Sequence, residues 1–218
     1  MINLTPEKIS VSIDSRAKLI VEDFSGIYPC FEAFYIHSLL YSSNRCLDAF
    51  ERYRHFESKN VKPEYLISLT QEAVGHAAAL SRFFWPSPQG KKDQPNVKKL
   101  KEARGKKLRS SFKLNETSVL YNRELRNAWE HFDERLDLYL LENDSGIFCP
   151  SCIVDSHKLA DVPRGNIFKL LDPDTECLVL MGEKYFFAPI RDEVERIHRL
   201  CLELDNHGGM LEFEEGAL

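Results

Sequence analysis

Residues 30–56 contain neither glycine nor proline, and the apolar Phe31, Phe34, Leu39, Cys46, Leu47, Phe50 and Tyr53 recur among them at helical intervals. A strand of that length would be exceptional, so the stretch predicts one long helix with a face to bury. Such a face needs other helices against it, and the flanking sequence offers them. Thr5-Pro6-Glu7 reads as a cap followed by proline at the first helical position, opening a helix that runs to about Val21 and is broken by Ser25-Gly26. The alternation of Ile9, Val11 and Ile13 leaves a strand open there. A second strong helix is expected over residues 63–84, with Leu66, Leu69, Ala73, Ala77 and Leu80 as its buried stripe. Gly75 and the alanines after it are read as permitting close approach of a neighbour. A short helix follows over about 96–107. The next runs over about 116–142, starting at Asn115 or Thr117, with Ala128, Trp129, Phe132, Leu136 and Tyr139 on one side.

After Gly146 the pattern alternates. Residues 167–171, 176–181 and 184–188 are short β-type runs separated by Asp172-Pro173-Asp174 and Gly182-Glu183 turns, which predicts a small antiparallel meander. An amphipathic helix over about 191–204 closes the chain. The fold class expected is therefore mainly α. Residues 1–146 are expected to form a helical bundle, and 147–205 a small β-meander plus a C-terminal helix packed on that bundle. Residues 206–218, with Gly208-Gly209 and Glu212, Glu214 and Glu215, form a flexible acidic tail.

The 218 residues carry a net charge of −5, which argues against passive coating of nucleic acid, but the charge is uneven. Residues 91–109 hold nine Lys or Arg against Asp93 and Glu102, a local balance of +7, so the remainder carries −12. Lys98, Lys99, Lys101, Arg104, Lys106, Lys107 and Arg109 are the cations expected to grip an RNA backbone by counterion release. No aromatic residue is interleaved among them, so base stacking is not indicated there. A solvated connector is the competing reading of the same segment. No apolar run is long enough to cross a bilayer, and no basic region followed by an apolar stretch opens the chain, so a cytoplasmic location with no membrane partner is expected.

Six cysteines make no disulfide framework in a chain of this length; Cys30 and Cys46 read as small buried hydrophobes. Cys149-Pro150-Ser151-Cys152 has the spacing of half a zinc knuckle. His157 could add a third ligand and Cys177 a fourth, although reduced, unligated thiols are the simpler reading and no cofactor is required. His37, His76 and His198 lie in helices without companions at ligand spacing.

The stretch with the most chemistry is Leu125-Arg126-Asn127-Ala128-Trp129-Glu130-His131. A neutral imidazole can take the proton from a ribose 2′-hydroxyl. A guanidinium can hold the phosphate and stabilise the charge developing on its oxygens. On an ideal helix Arg126 and His131 lie about 140° apart by the 100° step. The pair therefore calls for a helix start, a distortion or a second subunit. Ordinary helix-surface pairing of Arg126 with Glu130, and of His131 with Glu134 or Arg135, accounts for the same residues without chemistry.

Arg126-Asn127-x-x-x-His131 resembles the motif of the HEPN superfamily, an Arg, a polar residue and a following His near the last helix of a four- or five-helix bundle. The resemblance covers about residues 29–142. It implies a metal-independent endoribonuclease of a bacterial stress, toxin–antitoxin or phage-defence system, or an inactive relative. Arg126 and His131 would be its catalytic pair and Asn127 an accessory. It also implies a homodimer whose paired motifs meet across the interface, with an antitoxin or other protein as a further partner. Members with a nucleotidyltransferase partner often carry a tyrosine two positions after the histidine, where this chain has Asp133. Two other functions fit the residues: a non-catalytic interaction or RNA-binding module, and a zinc-stabilised binding protein.

Overall fold

In the computed structural model, residues 6–87 and 94–211 are described. The elements run α1 (Pro6–Phe24), a 3-10 turn (Pro29–Phe31), α2 (Glu32–Glu57), α3 (Pro63–Phe84), α4 (Pro95–Ser111), α5 (Glu124–Glu130) and α6 (Phe132–Glu142). After these come β1 (Ile147–Val154), a second 3-10 turn (His157–Asp161), β2 (Gly165–Asp172), β3 (Cys177–Leu180), β4 (Glu183–Phe186) and α7 (Ala188–Asn206). The chain is mainly α with a small sheet and a closing helix, as its periodicity predicts. The expected cap Thr5, Lys91, Lys92 and the acids of the expected tail lie outside the described residues. No helix among those described is long and apolar enough to cross a membrane.

The residues divide into two compact units: 1–41, 79–121 and 197–218 in the first, 42–78 and 122–196 in the second. In the first unit α1 packs along α4. The approach is close because Ser25 (φ 54°) and Gly26 (φ 94°) close α1 with left-handed turns, and the Gly26 N–H reaches back to Ile20 O at 3.0 Å. A Cβ on Gly26 would lie 2.3 Å from the backbone N of Arg104, so a side chain is excluded there. Asp14 accepts from the Asn96 backbone N–H and side-chain amide at 3.0 and 2.7 Å, fixing the start of α4 on α1. Leu108, Phe112, Leu80, Phe84 and Ile36 are buried in this unit, with the Phe84 and Phe112 rings edge to face.

In the second unit the sheet order is β1-β2-β3-β4. β2, β3 and β4 form the expected antiparallel meander. The sheet has a further strand, however. β1 pairs with β2 in parallel, with a register shift between Cys149 and Cys152, so the sheet is mixed. Ile167, Leu170, Cys177 and Val179 form its apolar core. Phe187 stacks on Phe50 at 5.8 Å and meets Tyr53 edge to face at 5.6 Å.

The helix expected over 116–142 is corrected in two ways. Residues 115–123 are not helical, because asparagine side chains take over the backbone donors that a helix would use. Asn115 accepts from the Thr117 N–H, and Asn122 from the Glu124 N–H. Where the helix does form, it is interrupted at His131, which caps the end of α5 and the start of α6 with φ −114° and ψ 39°. Its N–H still donates to Asn127 O at 3.0 Å and its carbonyl accepts from the Arg135 N–H at 3.1 Å. The hydrogen-bonded chain is thus bent at one residue and not severed. Cys30 is also corrected: it is exposed, whereas Cys46 is buried and its thiol is pushed up to about 12 by burial.

Candidate functional site

The bend at His131 sets the geometry of the motif. Arg126 is the third residue of α5 and its side chain is 18 % exposed. Its Nε donates to Glu130 Oε2 at 3.1 Å and its Nη2 lies 3.0 Å from the same oxygen, one helical turn on. The remaining guanidinium hydrogens have no partner among the described residues. His131 is 58 % exposed, with Nδ1 3.5 Å from Glu134 Oε2. A hydrogen on Nδ1 facing that carboxylate leaves Nε2 as the basic nitrogen. No hydrogen bond or ion pair among the described residues joins Arg126 to His131. Each has its own carboxylate neighbour instead. Asp133 and Glu134 lie in the first turn of α6, where negative charge favours the helix start.

Arg126 opens onto a cleft of about 330 Å³ between α3 and α5, lined by Gln71, Val74, Gly75, Arg126, Trp129 and Glu130. Asn127 and His131 are not among its walls. The Trp129 ring stacks with Phe132 at 6.1 Å and 25°, and Phe132 meets Phe168 edge to face at 5.4 Å. The Lys169 ammonium stands over all three rings, 5.2 Å from Trp129, 4.4 Å from Phe132 and 5.0 Å from Phe168. Farther along, Arg135 donates to Glu183 Oε2 at 2.9 Å and to the Tyr185 hydroxyl at 3.0 Å, tying α6 to β4. Burial, reinforced by Glu183, pushes that hydroxyl up to about 12.

Gly75 does not serve the close helix approach expected of it. A Cβ there would meet nothing within 4 Å, because the residue faces the cleft. Gly75→Ala is therefore expected to raise stability by about 0.5–1 kcal/mol, the penalty of glycine inside an exposed helix. Urea unfolding of the two proteins checks it, and an unchanged or lower midpoint would contradict this account.

The cations expected to bind RNA have unequal exposure. Lys99 and Lys106 on α4 are exposed and Lys98 and Lys101 half-buried. Arg104 donates to Arg82 O at 3.3 Å and its guanidinium stands 5.9 Å from the Tyr35 ring and 6.0 Å from that of Phe83. Arg109 donates to Phe84 O and lies over Trp85, and burial holds its guanidinium below its ordinary value. Lys107 is buried against Glu32 at 2.6 Å. These three cations hold α4 in its unit.

The expected metal ligands Cys149, Cys152, His157 and Cys177 are not assembled. No group of three or more His, Cys, Asp or Glu among the described residues is arranged to hold a metal ion. The reason lies in the sheet. Cys149 and Cys152 sit on β1 on either side of its register shift, whereas Cys177 is inside the apolar core, its thiol pushed up to about 11 by burial. His157 turns its Nδ1 to Asp172 Oδ2 at 2.6 Å, with the Thr175 hydroxyl 3.1 Å from the same nitrogen. That carboxylate also accepts from the His157 backbone N–H at 2.8 Å. Burial would raise the Asp172 carboxyl, but the hydrogen bonds from His157 and Thr175 hold it below its usual value. The group pins a turn to the end of β2.

Cleft residues Gln71, Val74 and Gly75 were not expected from the sequence. Gly75 did carry a signal: it sits about 200° from Ala73 by the 100° step, off the buried stripe of α3. No family model, curated protein or solved structure matches the chain.

Proposed function

We propose that the chain is a HEPN-like endoribonuclease acting without a metal, in the bacterial stress or phage-defence setting that its motif implies. The observation that carries this reading is the bend in the motif helix at His131, with Arg126 near the start of the helix before it. The bend is a distortion of the motif helix of the kind the pair calls for, placed at the histidine itself. His131 Nε2 takes the proton of a ribose 2′-hydroxyl, and the 2′-oxygen attacks the adjacent phosphorus. Arg126 stabilises the charge on the phosphorane oxygens. The 5′-oxygen leaves with a proton from solvent, giving a 2′,3′-cyclic phosphate end and a 5′-hydroxyl end. A second copy of the chain brings a facing motif to complete the site, because Arg126 and His131 are each paired to their own carboxylate within one copy.

The test is cleavage of a single-stranded RNA in EDTA by the wild type, Arg126→Ala and His131→Ala. Loss of cleavage in both variants, with cyclic phosphate ends in the wild-type product, supports the proposal; equal activity in all three overturns it. A second reading, a non-catalytic RNA-binding module, is favoured by the ion pairs Arg126–Glu130 and His131–Glu134. It expects RNA retained by the wild type without cleavage.

A further inference from the structure

The cleft beside Arg126 has walls that a phosphate alone does not require. One is the Trp129 indole, whose ring also packs with Phe132 and the Lys169 ammonium. Another is the open space over Gly75, where any other residue would place a side chain. Gln71 is exposed at the rim and brings an amide with both a donor and an acceptor. Arg126 enters the same space with guanidinium hydrogens not spent on Glu130.

From this we infer that the cleft is a nucleobase subsite: one base of an RNA chain stacks on Trp129, the Gln71 amide meets its edge, and its phosphate lies on Arg126. Stacking on an aromatic side chain is the usual way an unpaired base is held, and every base has a face to offer. The size agrees. A volume of about 330 Å³ lies at the low end of the roughly 300–1,000 Å³ typical of small-molecule sites, enough for a single nucleotide. The inference rests on the proposed RNA substrate but not on catalysis.

Binding of adenosine 3′-monophosphate measured by calorimetry tests it, with ribose 5-phosphate as the base-free probe. Gly75→Leu fills the cleft from a helix surface where its Cβ meets nothing within 4 Å, and Gly75→Ala leaves most of the space. The expected result is binding of adenosine 3′-monophosphate at least tenfold tighter than ribose 5-phosphate. Gly75→Leu and Trp129→Leu should weaken it at least tenfold, whereas Gly75→Ala keeps it. Equal affinity for the two probes, or unchanged binding in Gly75→Leu, overturns the subsite. Nuclease failure leaves a different trace: Arg126→Ala and His131→Ala then cleave like wild type, or nothing cleaves, while the binding pattern across Gly75 variants persists.

Discussion

A Lys107→Met variant is expected to be about 3–5 kcal/mol less stable than the wild type, the usual cost of removing one partner from a buried ion pair. Lys107 and Glu32 are among the most enclosed charges described, with side chains 8 % and 4 % exposed and Nζ 2.6 Å from Oε1. The ammonium also lies 3.4 Å from Phe24 O and 3.3 Å from Ile27 O, the carbonyls that close α1. The other carboxylate oxygen of Glu32 accepts from the Leu211 N–H at 2.7 Å. Methionine has nearly the right shape, so the loss is chiefly electrostatic: a buried carboxylate without its cation and two carbonyls that lose the ammonium. Urea unfolding should show a midpoint shift at unchanged slope. Glu32→Gln should also destabilise. A shift below 1 kcal/mol in Lys107→Met would show that water reaches the pair.

The same residue marks the boundary of what the sequence makes legible. In one dimension Lys107 is one cation in a run of nine, and the run reads as a polyanion grip. Only its partner Glu32, 75 positions away, distinguishes a buried strut from a solvated charge. Periodic features transferred well because they depend on near neighbours. The stripe of α3 placed that helix at Pro63–Phe84, and Ser25-Gly26 ended α1 where left-handed geometry was needed. β1 escaped because it is an edge strand carrying Pro150 and mostly exposed side chains, without the buried apolar residues that mark β2. Its CxxC spacing invited a metal reading that the strand geometry does not honour. The bend at His131 carries no glycine or proline to announce it. The motif residues were therefore legible, whereas the cleft that gives Arg126 its surroundings belongs to the packing of α3 on α5.

On the proposed ribonuclease reading, His131→Ala should lower the rate of RNA cleavage by about 10²–10⁴-fold, the contribution of a positioned general base, with little change in stability. The two halves of that expectation come from one observation. The imidazole is 58 % exposed and its carboxylate neighbour, Glu134, lies on the same surface, so truncation opens no cavity and strands no buried group. Surface ion pairs of this kind contribute about 0–1 kcal/mol, far less than the 2.7–5.5 kcal/mol that a loss of this size represents in the barrier. Glu134→Gln separates positioning from proton transfer. It keeps an acceptor beside Nδ1 but removes the charge, so cleavage should fall by a smaller factor than in His131→Ala. If His131→Ala instead lost activity only in step with a fall in its unfolding midpoint, the histidine would be a structural residue of the bend and the base would have to be sought elsewhere.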